Sequence, residues 1–118
     1  MFSMQLRMSP TLRFFEKSFK EKYNLEEYTS IYEPAIFCGI FRQNDRFAIK
    51  NHVGPMIIYL SGTDATHERV IKRIKKKLSD NNDVIVVAAS VWIEDDLKKF
   101  NVPCRLIPLL RTDIDIWL

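Results

Sequence analysis

Along the chain, four short apolar runs alternate with stretches in which apolar residues return every three or four positions. The runs are "PAIFCGI" (Pro34–Ile40), "GPMIIYL" (Gly54–Leu60), "DVIVVAAS" (Asp83–Ser90) and "VPCRLIPL" from Val102. Each is of strand length and is almost continuously apolar, the pattern of a strand buried on both faces of a parallel sheet. The strands are expected near 35–39, 56–60, 84–88 and 104–108. Between them, Val70, Ile71, Ile74 and Leu78 form one helical stripe. Arg69, Lys72, Arg73, Lys75, Lys76 and Lys77 are expected to cover the rest of that helix. "RQNDRFAIKNH" suits a short helix capped by Asn44 or Asp45. Ser90 is placed to cap "VWIEDDLKKF", where acidic residues come early and lysines late, as a helix dipole favours. At the start, Ser9-Pro10 reads as a helix N-terminus, followed by Leu12, Phe15, Phe19 and Tyr23 at helical spacing. Asn24 to Glu33 carries no sustained period and reads as a connection.

This order, helix, then strand–helix three times, then strand, predicts an α/β fold. We expect a three-layer, doubly wound Rossmann-like domain over 1–118, with a mainly parallel sheet of about four strands flanked by helices. The chain of 118 residues, 47% apolar, is the size of one domain with a real core. A net charge of +3 permits an anionic partner without requiring one. Cys38 and Cys104 lie in apolar stretches without a CxxC partner, so they read as free thiols of a reducing compartment. His52 and His67 stand alone, which excludes an obvious metal site. The N-terminus has no signal-peptide pattern and no run could span a bilayer, so a cytoplasmic protein is expected.

Ligands of an open parallel sheet bind outside the carboxyl ends of its strands. Those ends hold Gly39 and Arg42, then Ser61-Gly62-Thr63-Asp64, then Ser90 and Trp92. Gly62, Thr63 and Asp64 read either as a strand-to-helix turn or as a loop that binds a polyol or phosphate. The loop is neither a Walker GxxxxGK[ST] nor a GxGxxG fingerprint, so no cofactor is expected. Trp92 is either a core or interface aromatic, or a wall on which a sugar stacks. The basic helix is either a solvated face or a docking surface for anionic lipid headgroups or lipid-pyrophosphate acceptors. Aromatics are not interleaved with its cations, which argues against single-stranded nucleic acid. Glu94, Asp95 and Asp96 are consecutive on a helix and cannot converge on one bond.

The series "EPAIFCGIFRQNDRFAIKNHVGPMIIYLSGTDA", followed by "DVIVVAASVWIEDDLKKFNVPCRLIPLLRTDIDIW", resembles the N-terminal half of polysaccharide-type GT-B glycosyltransferases of bacteria and large DNA viruses. The likeness covers roughly Glu33 to Trp117 and rests on the order and spacing of short pieces: a Gly-containing strand end, "GP", "GTD", a strand ending in Ser, "W" with acidic residues, and "IPL". Leu60-Ser61 departs from the Trp or Gly residues common before "GTD". The resemblance implies a Rossmann-like acceptor-side domain in which Gly39, Gly62, Thr63, Asp64 and Ser90 line the cleft, with Arg42 a nearby cation and no catalytic base assigned. It implies transfer from a nucleotide sugar to a glycan or lipid-linked hydroxyl acceptor. The donor half, with its Glu-x7-Glu-type pattern, would have to come from a partner polypeptide or a dimer, so activity of residues 1–118 alone is not expected. Two other readings stand beside it: a non-catalytic interaction or structural module, and an anionic-surface binder, peripheral to a membrane, working through Arg69–Lys77.

Overall fold

The computed structural model describes residues 4–10, 16–40, 42–60, 67–80 and 83–107. Among them are six strands: β1 (Gln5–Met8), β2 (Glu26–Glu27), β3 (Ala35–Cys38), β4 (Met56–Leu60), β5 (Val84–Ala88) and β6 (Arg105–Leu106). Four helices connect them: α1 (Glu16–Tyr23), α2 (Gln43–Asn51), α3 (Glu68–Asp80) and α4 (Val91–Lys99). The strands form one sheet in the order β2-β1-β3-β4-β5-β6, and every pairing is parallel. The chain moves from β1 to one side and from β3 onwards to the other. Right-handed crossovers therefore put α1 on one face and α2, α3 and α4 on the opposite face. The fold is the expected α/β Rossmann-like one, but its sheet has six strands rather than about four.

The two extra strands are β1 and β2. β1 alternates polar and apolar residues, and its polar positions are occupied by tertiary contacts. Buried Gln5 donates through Nε2 to Ser30 O (2.8 Å) and Glu33 O (3.2 Å), and its Oε1 accepts from the Thr29 and Ser30 N–H groups, both at 2.7 Å. One amide thus fastens the connector that leads into β3. β2 is two exposed glutamates on the sheet margin. Ser9 continues the pairing of β1 by donating its N–H to Cys38 O at 2.8 Å, and Pro10 enters a 3₁₀ turn; residues 11–15, into which the expected helix would run, lie outside the described residues. The described helix begins at Glu16; Leu12 and Phe15 lie outside the described residues. The last strand is confined to Arg105–Leu106, and Pro108 also lies outside them.

Alternation along the strands divides the core. Ala35, Phe37, Met56, Ile58, Leu60, Val86 and Ala88 face α2, α3 and α4, where Ile49, Val70, Ile71, Ile74, Ile93 and Leu97 meet them. Leu6, Ile36, Cys38, Tyr59 and Val87 face the other way, with Leu25 from the end of α1 against them. The Val70/Ile71/Ile74/Leu78 stripe packs as its spacing predicts. Lys77, however, is buried rather than part of the solvated face. Its ammonium donates to the His52 carbonyl, and at 3.4 Å to Lys50 O, the last carbonyls of α2. A cation at a helix C-terminus is favourable there. Burial still pushes the Lys77 pKa down.

Helix ends follow local chemistry. Asn101 adopts φ 60°; its N–H donates to Lys98 O and that of Val102 to Leu97 O, both at 3.0 Å. That is a Schellman stop, closed by contact of buried Val102 and Leu97 in the same core cluster. Asn24, at φ 53°, precedes the equivalent Leu25 N–H to Lys20 O bond after α1. Both cysteines are free, as expected, and burial pushes the Cys38 thiol up to about 12.

At the amino edge of the sheet, Gly54 opens the turn into β4. Its N–H donates to Ile31 O at 2.9 Å, and a Cβ at this position would lie 2.1 Å from the Tyr32 carbonyl oxygen. Beside it, His52 is buried between the rings of Tyr28 and Phe37. Its Nδ1 accepts from the Tyr28 hydroxyl at 2.8 Å and its Nε2–H points to Pro55 O at 3.3 Å, an assignment set by the partners. Burial lowers its pKa from 6.5, and Lys77 adds to the lowering.

Two outcomes follow from this edge. Gly54→Ala must displace backbone rather than a flexible side chain, so it should cost about 2–3 kcal/mol in a urea titration; a loss within error of wild type would contradict the packing. A depressed histidine pKa means that the unfolded chain binds the proton first. The stability due to neutral His52 is therefore full above pH 6.5 and is lost as pH falls through 6.5 towards the lower folded value. His52→Gln should be less stable than wild type at neutral pH but show a shallower loss on acidification; equal slopes would contradict this.

Candidate functional site

β1 and β3 are hydrogen-bonded neighbours whose onward connections diverge, so the crevice at their carboxyl ends is the topological switch point. An ion pair bridges it. Arg7, paired in register with Phe37, reaches across to Asp45 in the first turn of α2, with Nη1 2.6 Å from Oδ1. Arg7 Nη2 also lies 3.5 Å from Asn44 O. The Asp45 side chain is 1% exposed. Its second oxygen accepts the Arg42 N–H at 3.3 Å. Asp45 therefore caps α2 from its third position, and Arg42, not Asn44 or Asp45, is the N-cap residue. Arginine has no acceptor, so only this half of a capping box is made. One carboxylate thus fixes β1, the N-terminus of α2 and the backbone that carries Arg42.

Gly39 ends β3 at φ 85°, a left-handed conformation that favours glycine. It turns the chain across the sheet edge, and Arg42 follows on the surface at the start of α2. Arg42 lines a cavity of about 500 Å³ with Gln43, Arg46, His67 and Arg69. These residues belong to the N-terminal turns of α2 and to the start of α3, which the parallel sheet sets side by side. The lining supplies N–H donors and three guanidinium groups, and the adjoining helix N-termini add positive potential. Such a cavity suits an oxygen-rich or anionic ligand.

Two strands further along, Ser90 is the N-cap residue of α4, and its carbonyl accepts from Glu94 N at 3.1 Å. The expected side-chain cap is not made. Ser90 Oγ is buried and has no hydrogen-bond partner among the described residues. A buried hydroxyl without a partner is costly and marks a place where a ligand or water would be held. Trp92 lies in the first turn of α4 and is 46% exposed, so it is a surface aromatic rather than part of the core. Glu94 and Asp96 pair with Lys98 and Lys99 along the helix surface at 3.6 and 3.5 Å. Gly62, Thr63 and Asp64 lie outside the described residues.

The structure therefore brings Gly39, Arg42, Ser90 and Trp92 to one edge of the sheet, and only Arg42 of these lines the cavity. The sequence pattern marks Arg69 only as a cation of the basic helix and His67 only as a lone histidine; it singles out neither Gln43 and Arg46 nor the Arg7–Asp45 bridge. A usable signal was present: helices that follow adjacent parallel strands start side by side, so polar residues at both starts are neighbours. Among the described residues no group of three or more His, Cys, Asp or Glu side chains could hold a metal ion. No described helix is long and apolar enough to cross a membrane. No family profile, curated protein or solved structure matches the chain.

Removing one partner of the Arg7–Asp45 pair leaves the other charge without its counter-ion. Asp45→Ala should cost about 2–3 kcal/mol, below the ~3–5 kcal/mol of a fully buried pair because Arg7 retains some solvent. Arg7→Met should cost a similar amount, and the double variant less than the sum of the two. Additive losses in the double-mutant cycle would show that the groups do not act as a pair.

Proposed function

We propose that this chain is the acceptor-binding domain of a glycosyltransferase. It would position a hydroxyl of a glycan or lipid-linked acceptor for transfer from a nucleotide sugar held by a separate donor-binding domain. The observation that carries the proposal is the donor-lined cavity of about 500 Å³ at the carboxyl edge. Its surroundings add support: Gly39 allows close approach to backbone, and Ser90 holds an unused buried hydroxyl. The resemblance of Glu33 to Trp117 to GT-B acceptor-side domains supplies the reaction class, and the fold alone would not. Within the proposal, Arg42 and the cavity side chains hold acceptor oxygens, Ser90 orients a hydroxyl, and Trp92 offers a face for a sugar ring. Their contribution to rate is positioning, and proton transfer is left to the completed enzyme.

A second reading, a non-catalytic interaction module, draws on Ile85, Leu106 and Ile107. Each is more than a third exposed at the β5–β6 margin, away from the carboxyl-edge cavity.

Binding to a glycan array separates the two. The acceptor reading predicts retention of a defined class of glycans, reduced about tenfold in Arg42→Ala and in Ser90→Ala, with circular dichroism unchanged. Ser90→Ala removes a hydroxyl that has no described partner, so its stability should not fall. Absence of glycan retention, together with a dimer disrupted by Ile85→Asp, would replace the acceptor reading with the interaction module.

A further inference from the structure

A second concavity, of about 440 Å³, continues from the carboxyl-edge cavity along α2 and α3 and shares Gln43, Arg46 and Arg69 with it. From α2 it is lined by Gln43, Arg46, Phe47 and Lys50. From α3 it is lined by Arg69, Lys72, Arg73 and Lys76. Both sets fall at positions i, i+3, i+4 and i+7, so each is one face of its helix, about 10 Å long at 1.5 Å per residue. The two faces adjoin, because β3 and β4 are neighbours and α2 packs against α3. The lining has six cations and no carboxylate. Lys76 lies 3.5 Å from Asp80 at the far end of α3.

In the middle of this field stands Phe47, 62% exposed. Helix formation does not require it there, and the core behind α2 is already filled by Ile49 and Ala48. A large apolar side chain ringed by long cationic ones matches the chemistry of a bilayer interface. The cations meet lipid phosphates and carboxylates, their aliphatic stems lie along the headgroups, and the ring enters the acyl boundary. Single-stranded nucleic acid asks for a succession of stacking rings along the groove, and Phe47 is the one aromatic in its lining.

We infer that the joined α2–α3 face docks this domain on an anionic lipid bilayer, with Phe47 as the inserted side chain and Arg46, Lys50, Lys72, Arg73 and Lys76 as the headgroup-binding cations. Lys77 takes no part, because it is turned inward to the carbonyls of α2. The site adjoins the carboxyl-edge cavity and shares Arg46 with it, but Phe47, Lys50, Lys72, Arg73 and Lys76 lie outside that cavity, so the inference does not rest on the acceptor reading. Docking there would set the carboxyl edge close beside the membrane.

The test is co-sedimentation of the full chain with phosphatidylcholine vesicles, with and without phosphatidylserine, over a salt series. Binding should require phosphatidylserine and weaken as salt rises. It should fall at least tenfold in Lys72→Glu/Arg73→Glu/Lys76→Glu, and several-fold in Phe47→Ala, which keeps every charge. The control Lys98→Glu/Lys99→Glu, on α4, should bind as wild type. Circular dichroism monitors folding of each variant, and Phe47→Ala serves as the independent arm should the charge reversals unfold the domain. No phosphatidylserine-dependent binding at low salt would overturn the inference. So would equal loss in the α4 control, which would mean diffuse charge. Tighter binding to duplex DNA or single-stranded RNA than to vesicles, with the same dependence on Lys72, Arg73 and Lys76, would overturn it in favour of nucleic acid.

Discussion

The contact between Arg7 and Asp45 is the constraint on which the carboxyl edge depends. The switch point of a doubly wound sheet is a natural gap, because the helices that follow the two central strands leave in opposite directions. Here the gap is spanned by one carboxylate, which is nearly unexposed, held by a guanidinium from β1 and by the N–H of Arg42. A pair of this kind is not a strong source of stability compared with well-packed apolar residues, but it is costly to break from one side. What it supplies is geometry. It fixes the first turn of α2 relative to β1, and with it the cationic residues that line the cavity.

Among the described residues, the polar groups of the amino edge are held in specific hydrogen bonds. At the amino edge, Gln5 makes four hydrogen bonds to the connector, Gly54 packs against the Tyr32 carbonyl, and His52 is engaged at both ring nitrogens. Lys77 occupies the carbonyls at the end of α2. At the carboxyl edge, a buried serine hydroxyl lacks a described partner and a donor-lined cavity opens between two helix starts.

How much of this could be read from the residues varies by element. β3, β4 and β5 were legible because each is an unbroken apolar run, and α3 because its apolar stripe holds a strict helical period. β1 was hidden by Gln5 and Arg7. Polar residues inside a central parallel strand argue against a strand, and only the tertiary partners, the 29–33 connector and Asp45, account for them. β2 was hidden because two glutamates on a sheet margin carry no periodic signal. Lys77 looked like one more surface cation, and its inward turn depends on where α2 ends. Strand-end logic puts Gly39, Arg42 and Ser90 at the carboxyl edge, which is where the structure has them. The cavity was not legible, since it is made by side chains from two helices 24 residues apart in sequence at Gln43 and His67.

The account's central claim is that the carboxyl edge holds an oxygen-rich ligand, and the most direct measurement is amide chemical-shift mapping of the full chain by NMR. Free sugars, glycan acceptors and nucleotide sugars would be titrated separately. The account predicts that sugars or acceptors move the amides of Gly39, Arg42 and Ser90 and leave the amino-edge amides of Gly54 and Val53 in place, while nucleotides alone move none of them. Shifts confined to the amino edge, or none from any sugar or acceptor up to saturating concentrations, would contradict it.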